Sequence, residues 1–108
     1  MDLSRLLPTP DAADLTERLR TVVDPEIGVN IVDLGLVYEC DASAGVAHVL
    51  MTTTSPACPI GSYLEDQVRW ALLGAPGVVD VEVEITHDPG WTPALMSPAA
   101  RAALGMPA

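Results

Sequence analysis

Ile60, Leu64, Val68 and Leu72 recur every four residues and Gly74 closes the run, which predicts a helix with one buried face. A helix that buries one stripe needs a partner layer, and β-rich segments lie on both sides of it. Val46 to Thr53 carries apolar residues on both faces and is expected to be a central strand. Leu36 to Asp41 precedes it, and the small residues of DASAG between them suit a hairpin. After Ala75-Pro76-Gly77 turns the chain, Val79, Val81, Val83 and Ile85 alternate with Asp80, Glu82 and Glu84, the pattern of a strand with one dry face.

The flanks are also legible. Residues 1 to 8 are expected to form a mobile lead. Thr9 can cap a helix with Pro10 at its first position, Asp11 and Asp14 in its first turns, and Leu15, Leu19 and Val22 on its buried face. That helix should stop before Asp24-Pro25. DPEIGVNIVDLG mixes Pro, Gly, Asn and Asp with isolated aliphatics, as in an ordered loop laid over a core. Ser97, Pro98 and Gly105 mark the cap, start and end of a short Ala-rich helix. The order helix, strand, strand, helix, strand, helix predicts an α+β, two-layer domain with helices on one face of a three-stranded sheet. With 108 residues, residues 1–108 are expected to make a single domain.

Fifteen acidic residues oppose five basic ones, a formal charge of -10. Such a surface repels phosphate backbones and anionic lipid, so nucleic acid and membrane are not expected partners. The opening MDLSRLLPTPDAAD lacks the apolar stretch of a signal peptide, and no run reaches transmembrane length, which favours a cytoplasmic protein. In a reducing cytosol Cys40 and Cys58 would remain thiols. Neither belongs to a CxxC pair, so one chain cannot assemble a structural zinc site from them.

Cys58 is the strongest candidate for chemistry. It lies in TTTSPACPIG, between a strand end and the start of the period-four helix, where free N–H groups and the helix dipole favour a thiolate. Pro56 and Pro59 bracket it, and Thr52, Thr53, Thr54 and Ser55 supply hydroxyls nearby. A small buried hydrophobe is the bland alternative for such a cysteine. Asp24 and Glu26 suit an acid pair near a site, a loop cap or surface charge, and Asp33 has the same choices. Mid-strand His48 is expected to be a satisfied structural histidine, His87 to lie nearer the surface, and Cys40 to be incidental. A thiol enzyme would need a base beside Cys58, a place the sequence assigns to neither histidine. There is no glycine-rich phosphate loop, HExxH or nucleophile elbow.

Three blocks, DPEIGVNIVDLGLVYE at 24–39, MTTTSPACPIG at 51–61 and HDPGWTPALMSPAARAALG at 87–105, together resemble the PaaD-like metal-sulfur cluster biosynthesis family, and within it the SufT-like branch. The resemblance runs from about Leu15 to Gly105. It implies an iron-sulfur cluster assembly type of fold and an accessory role in maturing iron-sulfur proteins. Matched by motif, it implies a reactive cysteine at Cys58, a neighbouring hydroxyl at Thr54, and acids at Asp24 and Glu26. The PaaD branch itself carries a cysteine-rich C-terminal extension, whereas this sequence has no cysteine after Cys58, which favours the SufT-like branch.

The resemblance thus implies a carrier or scaffold rather than an enzyme, with Cys58 as a shared ligand of a transient iron-sulfur cluster or iron. One cysteine is too few for a cluster, so a homodimer, a small thiol or a client protein's cysteines would complete the ligand set. The expected partners are the assembly machinery and client apoproteins. Two other readings stay open: a thiol-dependent enzyme with Cys58 as nucleophile, and a non-catalytic interaction module docking through its acidic face and the Trp91 loop. The C-terminal block is expected to fold over the Cys58 loop, with Trp91 buried near the thiol.

Overall fold

The structure, a computed structural model, describes residues 11–54 and 61–106. Thr9, Pro10 and the lead before them lie outside the described residues, as do Ile60 and Cys58. Helix α1 spans Ala12–Leu19 and is capped by Asp11, whose Oδ1 accepts from the Ala13 N–H at 2.8 Å. Asp14 in its first turn and Arg18 in its last complement the helix dipole. Leu15 and Leu19 are fully buried, and Val22, past the helix end, is 3 % exposed, so the expected apolar face holds.

Strands β1 (Val37–Ser43) and β2 (Val46–Met51) form an antiparallel hairpin in which Cys40 faces Val49 and Asp41 faces His48. Its two-residue turn places Ala44 at φ 52° and Gly45 at φ 81°, the left-handed pair whose twist matches that of the strands. Helix α2 (Gly61–Leu73) then crosses over, and β3 (Asp80–Ile85) pairs parallel to β2, from Val46 with Asp80 to Met51 with Ile85. A parallel pair cannot be joined by a tight turn, and α2 supplies the crossover. The sheet order is therefore β1-β2-β3, with β2 central as expected.

Helices α1 and α2 pack on each other and on one face of the sheet. Leu64, Val68 and Leu72 of α2 meet Leu15 and Leu19 of α1 and Ala47, Val49, Met51 and Val81 of the strands in one buried cluster. Ile31, Leu34 and Leu36 from the ordered loop close it, all fully buried. Each such aliphatic contributes about 1.5 to 3 kcal/mol on burial. The Arg69 guanidinium donates to the Val81 carbonyl at 2.8 Å and ties α2 to β3. A 3₁₀ turn at Pro93–Leu95 and helix α3 (Pro98–Ala103) end the described chain, with the Ser97 hydroxyl accepting from the Ala100 N–H. No helix among the described residues is long and apolar enough to cross a membrane.

Three expectations need correction: the cap at Thr9, since Asp11 caps a helix that begins at Ala12; the placing of Val79; and the burial of His48. Val79 was placed on the dry face of β3 but is 76 % exposed, while Val78 is 9 % exposed and packs inward. The Ala75–Gly77 turn delays entry into the strand until Asp80, so the alternation begins only there. His48, expected to be a satisfied structural histidine, has a partner but is not buried. Its side chain is 44 % exposed on the face away from the helices, with Nδ1 3.1 Å from a Glu82 carboxylate oxygen.

This register predicts that Val81→Asp, which buries an unpaired charge, destabilises the protein by about 2 to 4 kcal/mol. Glu82→Lys, one residue along on the open face, should change denaturant stability by less than about 0.5 kcal/mol. Equal losses in urea titrations of the two variants would refute the register.

Candidate functional site

Pairing continues past the end of β2 on both sides. The Thr52 N–H donates to the Leu36 carbonyl at 2.8 Å, and the Thr86 N–H donates to the Met51 carbonyl at 2.9 Å. Thr52 is fully buried and Thr53 is 4 % exposed. The Thr53 Oγ1 lies 3.0 Å from His87 Nε2. Gly61, the first residue of α2, sits close enough that a Cβ there would stand 3.9 Å from the Thr53 methyl and 3.7 Å from Ile85. The connection that carries Cys58 therefore leaves from, and returns to, the same end of the β2–β3 pair. Cys58 itself, with Ser55, Pro56 and Pro59, lies outside the described residues; Thr54, half-buried, is the last described residue before it.

The two acids of the DPE block behave differently. Asp24 is fully buried, and its Oδ1 accepts from the N–H groups of Glu26 at 2.9 Å and Ile27 at 3.3 Å. Its backbone bonds to Val29 and Gly28 close the loop, in which Gly28 takes φ 82°. The Asp24 Oδ2 has no hydrogen-bond partner among the described residues. Glu26 is exposed, and no hydrogen bond between described residues joins either acid to Thr54. Asp24 thus shapes the loop from inside, whereas Glu26 faces solvent.

Asp33, ambiguous in sequence, is the hub of a network. Its Oδ1 accepts from Arg20 at 2.8 Å and from the Ser97 hydroxyl at 3.1 Å, and its Oδ2 accepts from the Asn30 side chain at 2.7 Å. The Asn30 bond holds the Asp33 carboxyl below its ordinary pKa, with Arg20 and Ser97 acting the same way and burial opposing them. Arg20 is raised in turn, first by Asp33 and then by Glu17.

The C-terminal block docks at this hub. The Ser97 N–H donates to the Asp33 carbonyl at 2.7 Å, and the Trp91 indole N–H donates to the Leu34 carbonyl at 2.6 Å. Gly35, at φ 80°, leaves no Cβ to collide with the Leu95 backbone. Half-buried Trp91 is therefore seated on the Ile31–Leu36 loop, and of this block it is His87 that reaches the flank of the cysteine segment. Sequence reasoning did not pair His87 with Thr53, although parallel register makes the pairing arithmetical: Met51 faces Ile85, and each partner lies two residues further on.

Cys40 points to the helix side of β1, where burial raises its thiol pKa and the Thr16 hydroxyl only partly offsets that. It is a poor thiolate at neutral pH. Among the described residues no group of three His, Cys, Asp or Glu side chains is placed to hold a metal ion.

A two-layer α+β domain with a strand-to-helix connection carrying a proline-bracketed cysteine defines a class, and comparison with known proteins identifies it. The family model described as "Iron-sulfur cluster assembly protein" matches residues 12–85, and the chain belongs to that PaaD-like family. The chain is 48 % identical over 89 residues to the Fe-S protein maturation auxiliary factor YitW of Bacillus subtilis, covering 82 % of this chain and 87 % of that protein. It is 46 % identical over 86 residues to the Fe-S protein maturation auxiliary factor SufT of Staphylococcus aureus, covering 79 % and 98 %. Its fold matches the crystal structure of a domain of unknown function (DUF59) from Bacillus anthracis with a TM-score of 0.84 at 38 % identity, over 89 % and 92 % of the two chains.

Two measurements test this geometry. Because the Asp33 pKa is depressed by folding, its stabilisation is complete above the ordinary carboxylate value of about 3.9 and is lost as pH falls further. Asp33→Asn should therefore cost about 1 kcal/mol at pH 7, and the gap from wild type should shrink below about pH 4 in denaturant titrations. In alkylation at pH 7.5, Cys58→Ser should leave only slow labelling, since Cys40 is held as a thiol. Fast modification of Cys40 in that variant would contradict its burial.

Proposed function

We propose that this protein is an accessory factor in iron-sulfur protein maturation in the cytoplasm, with residues 1–108 acting as one domain. In this reading Cys58 supplies one thiolate to an iron or iron-sulfur cargo in transit. Support comes from the family and from the division between the two cysteines. Cys40 is built into β1 with a raised pKa, which leaves Cys58, between Thr54 and Gly61, as the thiol available for ligation. One thiolate leaves a cluster short of ligands, so the remainder come from a second copy, a small thiol or the client's own cysteines. A cargo held by so few ligands is easily released, as delivery requires. Thr54, Asp24 and Glu26 are proposed to shape the same site, Asp24 through the loop it braces from within.

The 3.0 Å contact of His87 with Thr53 favours a second reading, a thiol-dependent enzyme in which His87 serves as base to Cys58. Anaerobic reconstitution with iron and sulfide separates the two. Wild type should acquire protein-bound iron and a visible charge-transfer band, while Cys58→Ala should acquire neither. Cells carrying Cys58→Ser should show lowered activity of iron-sulfur enzymes with normal levels of the folded variant. Normal enzyme maturation in that strain would refute the central role of Cys58. Rapid alkylation of Cys58 without iron uptake, abolished in His87→Ala, would favour the enzyme.

A further inference from the structure

Among the described residues the helices cover one face of the sheet, and the residues on the other face form an ordered pattern. Along β2 the outward positions are Val46, His48 and Leu50, all half-buried. On one side, β1 presents exposed Glu39 and Asp41; on the other, β3 presents exposed Glu82 and Glu84. The register aligns these as rows across three strands, Asp41–His48–Glu82 and Glu39–Leu50–Glu84. The result is a shallow groove with His48 and Leu50 on its floor along β2 and a carboxylate wall on each side.

Cross-strand neighbours on an exposed sheet commonly pair opposite charges. Among the described residues here, only His48 offers a counter-charge. The chain contains no lysine, and its described arginines are all engaged elsewhere or on helices: Arg18 and Arg20 at α1, Arg69 on the Val81 carbonyl, and Arg101 on the Pro93 carbonyl. Apart from the contact of His48 with Glu82, the walls therefore keep an excess of negative charge on both sides of the β2 strip. They stand two strand spacings apart, about 10 Å, which is close to the width of an α-helix.

We propose that this face is a docking groove for a basic amphipathic helix of a protein partner. Its apolar stripe would lie on Val46 and Leu50, and lysines or arginines on its two flanks would reach Glu39 and Asp41 on one side and Glu82 and Glu84 on the other. The groove is independent of the thiol chemistry, since none of its residues belongs to the Thr52–Gly61 connection. Charge complementarity of this kind steers encounter and sets orientation.

The probe is a labelled synthetic Leu/Lys amphipathic helix of about 18 residues, long enough to populate a helix, titrated against the full chain by fluorescence polarisation. Two charge-matched variants separate site binding from general attraction to an acidic protein. E82K/E84K reverses one wall, and D14K/D66K makes the same change in net charge on the helices. The groove predicts about tenfold or greater weakening for E82K/E84K and less than about threefold for D14K/D66K. If circular dichroism shows E82K/E84K unfolded, E39K/D41K on the opposite wall gives the same test.

A second measurement needs no variant. Because the chain has no lysine side chains, carbodiimide will join its carboxylates to the peptide's amines, and peptide mapping should place adducts at Glu39, Asp41, Glu82 and Glu84. Equal weakening by both double variants, no binding by wild type, or adducts concentrated on α1 and α2 would overturn the proposal. Retained iron uptake in E82K/E84K would show that loss of peptide binding is separate from the Cys58 reading.

Discussion

The arrangement depends on β2 being hydrogen-bonded along both edges. On one side it meets β1 through a two-residue turn, which is a local event. On the other it meets β3, which can arrive only after α2 has crossed the sheet. The helix stripe of Leu64, Val68 and Leu72 is thus buried by the same strands whose pairing it makes geometrically feasible. Beyond Met51 the two ladders continue to Leu36 and Thr86, so Thr52 and Thr53 are anchored from both directions where the chain departs toward Cys58. Thr52 and Thr53 gain a defined position in this way from backbone pairing.

The acids of the DPEIGVNIVDLG loop illustrate how neighbouring residues of one motif diverge. Asp24 turns inward and spends one carboxylate oxygen on the N–H groups of its own loop, an arrangement in which a short side chain replaces a missing turn of backbone pairing. Glu26, two residues away, is left on the surface by the turn that Asp24 makes. Asp33, by contrast, joins its own loop, through Asn30, to two elements distant in sequence: the end of α1 through Arg20 and the C-terminal segment through Ser97. Its lowered pKa favours the charged form on which this junction depends.

Much of the fold was legible because its strongest signals are local. The four-residue period of α2, the small residues of the hairpin and the Ser97-Pro98 start of α3 each specify conformation within a few positions. The misplacement of Val79 shows where this stops: alternation gives the period of a strand, whereas the turn before it determines the residue at which alternation begins. His48 exposes a related limit. Its mid-strand place suggested a structural, buried histidine, yet a central strand of a two-layer domain has one face without helices, and His48 lies on it. At the site, the cysteine connection and the acids were visible as motifs. The meeting of His87 with Thr53 was not, since it follows from a parallel register that only the folded chain establishes. Capping by Asp11 is a smaller case, in which several good cap residues stood close together and local competition decided among them.

The C-terminal segment is held differently from everything else. Its helix has six residues and one buried side chain, Ala100, and its anchorage consists largely of polar bonds to the Asp33–Leu34 turn. Beyond Ala100, the apolar surface this segment buries is that of half-buried Trp91 and Met96 against the core, so opening it costs less free energy than global unfolding. In hydrogen exchange its amides would form a separate, faster class from those of β2. Because His87 stands at the root of this segment, such partial opening would change the company of Thr53 while the helix–sheet layer stays intact, and the protein would behave as a rigid frame with one detachable strap.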